Sequence, residues 1–171
     1  TTLFRSEVQR YLVRGLYDEA KKTAQRYEAC FGKGNYFLEL QDHGIPDQKT
    51  VNAGLMRLSQ ELGIELVATN DVHYTYAEDW EAHDILLCLQ TGKKLSDENR
   101  MRYEGGQYYV KSEEEMRALF PYAAQAIENT QKIADRCHVE IEFGVTKLPH
   151  FTVPDGYDSW TYLNKLCHEG L

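Results

Sequence analysis

The sequence lacks a long apolar run. Its longest apolar stretch, Ile85-Leu86-Leu87-Cys88-Leu89, is far shorter than the roughly 20 residues that a membrane-spanning helix needs. The N-terminus also lacks a basic region followed by an apolar run, so no signal peptide is indicated. We therefore expect a protein that has no membrane partner.

Closely spaced cysteines are also missing. The four cysteines, Cys30, Cys88, Cys137 and Cys167, are far apart and never form a Cys-x-x-Cys pair. Disulfide frameworks and zinc knots both rely on patterned cysteine spacing. The spacing favours reduced thiols in the core of a cytoplasmic protein.

Positive charge is scarce in the second part of the chain. Residues 1–70 carry nine Lys/Arg and nine Asp/Glu, whereas residues 71–171 carry ten and eighteen, so the net charge of −8 arises entirely after Asn70. A groove that follows a phosphate backbone needs clustered cations. This balance argues against such a groove here, but it still allows a nucleic-acid enzyme that binds elsewhere. The phosphate-binding P-loop and the motifs G-x-G-x-x-G and G-x-S-x-G are absent too.

The remaining pattern predicts an α/β fold. The 171 residues, 42% of them hydrophobic, suffice for about one domain. Helical spacing alternates with short apolar strands, which is typical of a parallel α/β unit. We predict helices over 7–16, 17–31, 46–62, 77–89, 112–120 and 121–137, strands over 36–40 and 66–69, and a last helix from Asp158 or Ser159 that is still running at Leu171.

Asp71 and His73 are the main candidate functional residues, because they directly follow the second strand. In parallel α/β folds, ligands collect at the carboxyl ends of strands. In extended backbone the two side chains would lie on one side. They could bind a Zn, Mn or Fe ion, or Asp71 could orient His73 as a general base. Alternatively, Asp71 caps a turn and His73 only packs locally.

Other polar groups allow a functional and a structural interpretation. Asp42-His43-Gly44 follows the first strand and could reach the same edge, or it could form a turn. His83-Asp84 on a helix could bind a metal, although a local hydrogen bond is the commoner role. The run Glu113–Glu115 fits a capped, solvated helix start.

Several segments resemble one known family. The stretch Leu66-Val67-Ala68-Thr69-Asn70-Asp71-Val72-His73-Tyr74 closely resembles the PHP (polymerase and histidinol phosphatase) domain region of the bacterial DNA polymerase III alpha subunit. The resemblance runs from Glu7 to Leu171 and includes the segments 39–48, 81–84, 87–93, 126–130, 133–137, 148–151, 162–163 and 166–171.

The resemblance implies the C-terminal part of a distorted (β/α)7 PHP barrel over residues 7–143. A connector and the first helix leading into the polymerase body would follow over 144–171. By the same resemblance, Asp71 and His73 are the last ligands of a divalent-metal cluster (Zn, Mn or Fe), whose other ligands precede Glu7. Residues 1–6 do not fit the family, so we expect them to be a non-native scar.

The resemblance also implies a function for the full-length parent. That parent would be a cytoplasmic DNA-directed DNA polymerase that uses DNA, dNTPs, a sliding clamp and a clamp loader. Its polymerase site, with Mg, would lie outside this fragment, which alone should be inactive. The PHP part would be structural or a metal-dependent 3′–5′ exonuclease. The alternatives are a free-standing PHP-type phosphoesterase and a purely structural module without metal.

Overall fold

The computed structural model describes residues 6–170. The chain divides into two compact units, and the division falls after Cys137. The expected domain bounds of 7–143 and 144–171 stay a prediction, and residues 1–5 of the expected scar lie outside the described residues. The described elements are α1 (Glu7–Val13), α2 (Tyr17–Phe31), β1 (Leu38–Leu40), α3 (Pro46–Leu62), β2 (Leu66–Ala68), α4 (Trp80–Thr91), α5 (Glu113–Leu119), α6 (Ala124–Asp135) and α7 (Ser159–Glu169), with single 3₁₀ turns at Ala77–Asp79 and Glu104–Gly106.

The two strands pair in parallel. Leu38 lies opposite Leu66, and Leu40 lies opposite Ala68. Helix α3 connects them, so residues 38–68 form the β-α-β unit that the alternating pattern predicted. Both strands therefore end at the same edge of the sheet, and the segments that follow them are brought together.

Helix α3 covers the sheet with the apolar stripe that its sequence predicts. Val51, Leu55 and Leu58 are almost completely buried. Pro46 occupies the first turn, where its missing N–H costs no helical hydrogen bond. Gly63 ends the helix in the left-handed conformation, with φ 70°.

Helix α6 packs against β2. Ala126 and Ile127 are buried in the same core as the α3 stripe. Asn129, 1% exposed, donates from Nδ2 to the carbonyl oxygen of Leu66 at 2.8 Å. Because this hydrogen bond satisfies a strand carbonyl, α6 is held in register with β2.

Most predicted boundaries agree with the structure, and two are wrong. The last helix does not run on to the end of the sequence, because α7 ends at Glu169 with Gly170 as its C-cap. Ser112 and Glu115 form the expected capping box, in which Ser112 Oγ accepts from the Glu115 N–H at 3.2 Å and Glu115 accepts in return. Pro121 does not begin a helix. It lies in a turn after the buried Phe120, and α6 begins only at Ala124, because the Ala123 N–H is bound back to the Phe120 carbonyl.

The cysteines are free thiols, as expected, but most of them do not lie in the core. Cys88 is buried, whereas Cys30, Cys137 and Cys167 are exposed. The last two lie at the end of the first unit and on α7, where few apolar side chains cover them. The prediction of core thiols is therefore wrong for three of the four cysteines.

The second unit contains helix α7 and the irregular segment before it. Asp158 caps the helix, since its Oδ1 accepts from the Thr161 N–H at 2.7 Å. Tyr162 contacts the rings of Phe151 and Tyr157, at 6.0 and 5.5 Å between centroids. Across residues 6–170, the helices are all too short or too polar to cross a bilayer.

Gly54 sets the distance between α1 and α3. A Cβ atom at this position would lie 2.7 Å from Leu12 Cδ2 and 3.0 Å from Leu12 Cδ1. Leu12 is itself buried in the core. The side chain of Leu12 therefore occupies the space that any larger residue at position 54 would need.

Gly54→Ala should therefore destabilise the protein although alanine favours helices. The gain in helix propensity is about 1 kcal/mol, whereas overpacking costs about 1–3 kcal/mol. We expect a net loss of about 1 kcal/mol in the free energy of unfolding, measured by urea denaturation. In a Leu12→Val background, which withdraws both methyl groups by one carbon, the same change should be neutral or stabilising. An equal loss in both backgrounds would contradict this explanation.

Candidate functional site at the strand ends

The segments after β1 and β2 meet at the carboxyl edge of the sheet. The Thr69 N–H donates to the Leu40 carbonyl at 3.0 Å, which continues the pairing past the strands. Beyond it, His43 Nε2 lies 2.8 Å from the carbonyl oxygen of Asn70. The expected convergence of the two strand ends is thus confirmed for His43.

His43 has a fixed tautomer. A carbonyl oxygen only accepts, so Nε2 must carry the proton that it shares with Asn70. At Nδ1 the ring accepts from the Gln48 amide at 2.8 Å, and the Gln48 Oε1 accepts from the His43 N–H at 2.6 Å. The ring also stacks on Tyr108, with 4.1 Å between centroids. Both ring nitrogens are occupied, so His43 is a neutral structural residue and has no free nitrogen for a metal or a proton transfer.

Asp42 and Gly44 make the turn that was the alternative interpretation of this motif. Asp42 Oδ1 accepts from the Gly44 N–H at 2.9 Å, and Gly44 has φ 80°. The residues of this motif therefore have different roles. Asp42 and Gly44 bend the backbone, and His43 between them reaches the segment that follows β2.

The Asp71–His73 segment differs from the expected extended geometry. Asp71 has φ 46°, the left-handed region that non-glycine residues seldom adopt. The chain bends there, and His73 Nδ1 lies 2.6 Å from the Asp71 carbonyl oxygen. Since that oxygen only accepts, Nδ1 carries a proton, and in the neutral ring the lone pair is therefore on Nε2. The expectation of an extended triplet is wrong at Asp71.

Asn70 holds this bent segment in place. Its Nδ2 donates to the carbonyl oxygens of Tyr109 at 2.7 Å and Gln107 at 3.2 Å. The His73 N–H donates to the Tyr108 carbonyl at 2.8 Å. The strand end is therefore tied to residues 107–109, which lie far away in the sequence.

His83 and Asp84 have separate environments. Asp84 forms a bidentate ion pair with Arg100, at 2.5 and 2.6 Å, and the Arg100 side chain is only 4% exposed. The Arg100 guanidinium lowers the pKa of the Asp84 carboxyl. His83 instead contacts the ring of His73, with 5.5 Å between centroids. Burial, followed by the charge of His73, lowers the pKa of His83.

Two polar residues in the site were missed from the sequence, although a signal was present. Gln48 and Asn52 are buried and lie on the same face of α3 as Val51 and Leu55. Asn52 donates to the Gln41 carbonyl at 3.0 Å. A polar residue that interrupts an apolar helical stripe usually has a buried partner, so both could have been found.

Asp71 and His73 are the two metal donors that the sequence predicts. Within residues 6–170, no group of three or more His, Cys, Asp or Glu side chains is arranged to hold a metal ion. The Asp71 side chain is partly exposed and the His73 ring is exposed, and two donors are fewer than the three protein ligands of a catalytic zinc site.

The neutral state of His43 should make the stability depend on pH. Burial lowers the pKa of His43, and the charges and hydrogen bond at Asn70, Asp71 and Asp42 oppose this only in part. Below the ordinary value of about 6.5, the unfolded chain takes up a proton more readily than the folded chain. We expect the unfolding free energy to be greatest above that pH and to fall as the pH decreases below it.

Urea denaturation at several pH values, with a chelator present, measures this slope. His43→Gln should remove part of it. His168→Gln replaces an exposed ring on α7 and serves as the control for the loss of a histidine elsewhere. A slope that is identical in the wild type and in His43→Gln would show that the ring is not kept neutral by folding.

The chain is similar to DNA polymerase III alpha subunits from several bacteria. It is 44% identical over 161 residues to DNA polymerase III subunit alpha of Treponema pallidum, which covers 94% of this chain. Identity to the Borreliella burgdorferi protein of the same name is 41% over 166 residues, or 96% of this chain. The Thermus aquaticus protein is 36% identical in an alignment of 172 positions that covers 97% of this chain. No family profile matches.

The matched region is a small part of each relative. The chain spans 14% of the length of each of these three alpha subunits. Since the Thermus aquaticus match covers 97% of the chain, it includes most of the second unit as well as the strand-end site. The sequence thus corresponds to one segment of bacterial DNA polymerase III alpha subunits.

Proposed function

We propose that this chain acts as part of a replicative DNA polymerase, whose full-length form carries out DNA-directed DNA synthesis. The observation that carries this proposal is the sequence similarity to DNA polymerase III alpha subunits over 94–97% of the chain. The similarity extends into the second unit, which a free-standing phosphoesterase would not be expected to share. In this proposal the partners of the full-length protein are DNA, dNTPs, the sliding clamp and the clamp loader, and the setting is the cytoplasm. Its Mg-dependent polymerase site lies outside this segment.

We further propose that residues 7–143 form the C-terminal part of a PHP barrel, with residues 144–171 leading into the polymerase body. The parallel β-α-β unit with donors at its carboxyl edge supports this. In this arrangement Asp71 and His73 are two ligands of a divalent-metal site, and other ligands come from outside the segment.

The residues present fit a metal of this kind. Metal-binding histidines usually give their second ring N–H to a backbone carbonyl, which fixes the tautomer and orients the ring. His73 Nδ1 makes this contact with the Asp71 carbonyl and leaves Nε2 for the ion. Imidazole and carboxylate donors suit Zn, Mn or Fe. When bound, such an ion would activate a water for phosphodiester hydrolysis.

The other residues of the edge act by positioning these two donors. Asn70 fixes the backbone immediately before Asp71 through the carbonyls of Tyr109 and Gln107. His43 holds the Asn70 carbonyl from the other strand end. Such a supporting shell keeps ligands within the narrow range of geometry that a metal site requires.

Metal content tests the role of Asp71 and His73. In a full-length alpha subunit that carries this segment, Asp71→Asn and His73→Gln should each weaken metal binding at least about tenfold. Metal per protein after dialysis, measured by mass spectrometry, reports the loss. His150→Gln, in the second unit, is the matched control and should keep full occupancy. Unchanged occupancy in the Asp71 and His73 variants would contradict the metal site and favour the purely structural module.

Nucleotide incorporation tests the polymerase assignment separately. We expect the full-length subunit, with Mg and dNTPs, to extend a primed template. The 171-residue chain alone should incorporate nothing, because in this proposal the Mg-dependent polymerase site lies outside the segment. Primer extension by the isolated chain, or none by the full-length subunit, would overturn this assignment.

A further inference from the structure

A small cleft lined by aromatic rings lies beside the strand-end site. Its volume is about 220 Å³, below the roughly 300–1,000 Å³ typical of sites for drug-sized ligands. The cleft therefore has room for one planar ring system and little more. We call it the aromatic cleft, and its lining residues are Tyr74, Trp80, His83, Asp84, Arg102, Tyr103 and Gly105.

The walls of the aromatic cleft are held in place. His83 contacts the rings of Tyr74 and Tyr103, at 5.4 and 5.2 Å between centroids. The Trp80 indole packs beside the 105–106 turn, since a Cβ at Gly106 would lie 3.8–3.9 Å from it. The ion pair between Asp84 and Arg100 ties α4 to the loop that carries Arg102 and Tyr103. Little side-chain entropy would be lost when a ligand enters.

Trp80 is nevertheless accessible. It is 47% exposed, although it sits between rigid neighbours. Indole and phenol faces are the surfaces on which nucleobases stack, and such stacking tolerates any base. A half-open aromatic wall of this kind can accept a flat ring by stacking.

The charges in the aromatic cleft favour an anion next to that ring. Asp84 is neutralised by Arg100. After Arg100, Arg102 adds to the positive charge that lowers the pKa of Asp84, and it forms no salt bridge with any side chain that the structure describes. Its guanidinium beside aromatic walls matches a phosphate that flanks a base.

The aromatic cleft also adjoins His73. The His73 ring lies 4.4 Å from the Tyr103 ring and 5.5 Å from the His83 ring, between centroids. Because Tyr103 also lines the cleft, a base in the cleft would lie near one of the two candidate metal donors. Only this last step rests on the proposed function, because ring stacking needs no metal.

We propose that the aromatic cleft binds a nucleobase of single-stranded DNA, with Arg102 on the phosphate beside that base. The cleft then selects strands whose bases are unpaired, since a paired base is not free to enter. The bound nucleotide would then lie beside His73.

Tryptophan fluorescence provides the test, because the chain has two tryptophans and one of them lies in the second unit. In a Trp160→Phe chain, Trp80 is the sole reporter. With a chelator present, dAMP and a short oligo(dT) should each quench Trp80 saturably. The abasic compound 2-deoxyribose 5-phosphate should not. A Trp80→Phe chain, which reports Trp160 alone, should show no saturable quenching.

Variants of the cleft then separate stacking from charge. In the Trp160→Phe background, Tyr103→Leu should weaken dAMP binding at least about fivefold. Tyr103→Phe should keep the dAMP affinity within about twofold of that of the Trp160→Phe chain. Arg102→Gln should weaken dAMP but leave deoxyadenosine unchanged. Circular dichroism checks that each variant keeps its helices. If Tyr103→Leu unfolds, the two single variants Tyr103→Phe and Arg102→Gln still test whether dAMP binds in the cleft.

Two results would overturn base binding, and a third would overturn binding to a strand. One is the absence of saturable quenching by dAMP and by oligo(dT), and the other is equal quenching by the abasic sugar phosphate, which would mean that only the phosphate is bound. A preference for the free nucleotide over the oligonucleotide would also contradict binding to a strand. Because a chelator is present throughout, these outcomes are independent of metal binding by Asp71 and His73.

Discussion

The hydrogen bond from His43 to the Asn70 carbonyl is the contact on which the rest of the site depends. It joins the ends of both strands, at 2.8 Å, where regular pairing has stopped. Gln48 at the start of α3 fixes the tautomer that makes this donation possible. Helix, first strand end and second strand end are therefore connected through one neutral imidazole ring.

The two histidines at the strand ends, His43 and His73, have different roles. His43 is buried, and both ring nitrogens have hydrogen-bond partners. Moving the ring would leave these buried polar groups without partners, which is energetically costly. His73 is exposed and keeps Nε2 available. The strain implied by φ 46° at Asp71 is tolerated because Asn70, just before it, is tied to the carbonyls of Tyr109 and Gln107. Unfavourable backbone conformations persist when their surroundings fix them, and they cluster at functional sites.

The local elements could be predicted because each carries its own signal. Pro46 and Gly63 mark the ends of α3, and Ser112 with Glu115 forms a reciprocal cap. Two short apolar segments separated by a helix indicated parallel pairing, which Leu38 and Leu66 show. Pro121 misled the prediction, since proline favours a first helical turn but also suits the turn after a buried aromatic residue.

The contents of the site were harder to predict because they depend on residues far apart in the sequence. The position of Asp71 and His73 after β2 indicated a candidate site. The bend at Asp71 is fixed by residues 107–109, and no spacing rule connects these to Asn70. The partner of Asp84 is Arg100, 16 positions away in a loop. Local patterns indicate which residues carry donors, whereas long-range hydrogen bonds decide which donors stay free.

The acidic balance of the second part of the chain restricts how it can contact DNA. With eighteen acidic and ten basic residues after Asn70, it would repel a long phosphate backbone more than attract it. Stacking on Trp80 and Tyr103 does not need a basic surface, and Arg102 meets at most one phosphate. The proposed contact through a single unpaired base is therefore compatible with this charge, which argues against contact with a duplex groove. The same charge that disfavours a backbone-binding surface still allows the proposed recognition of one base at a time.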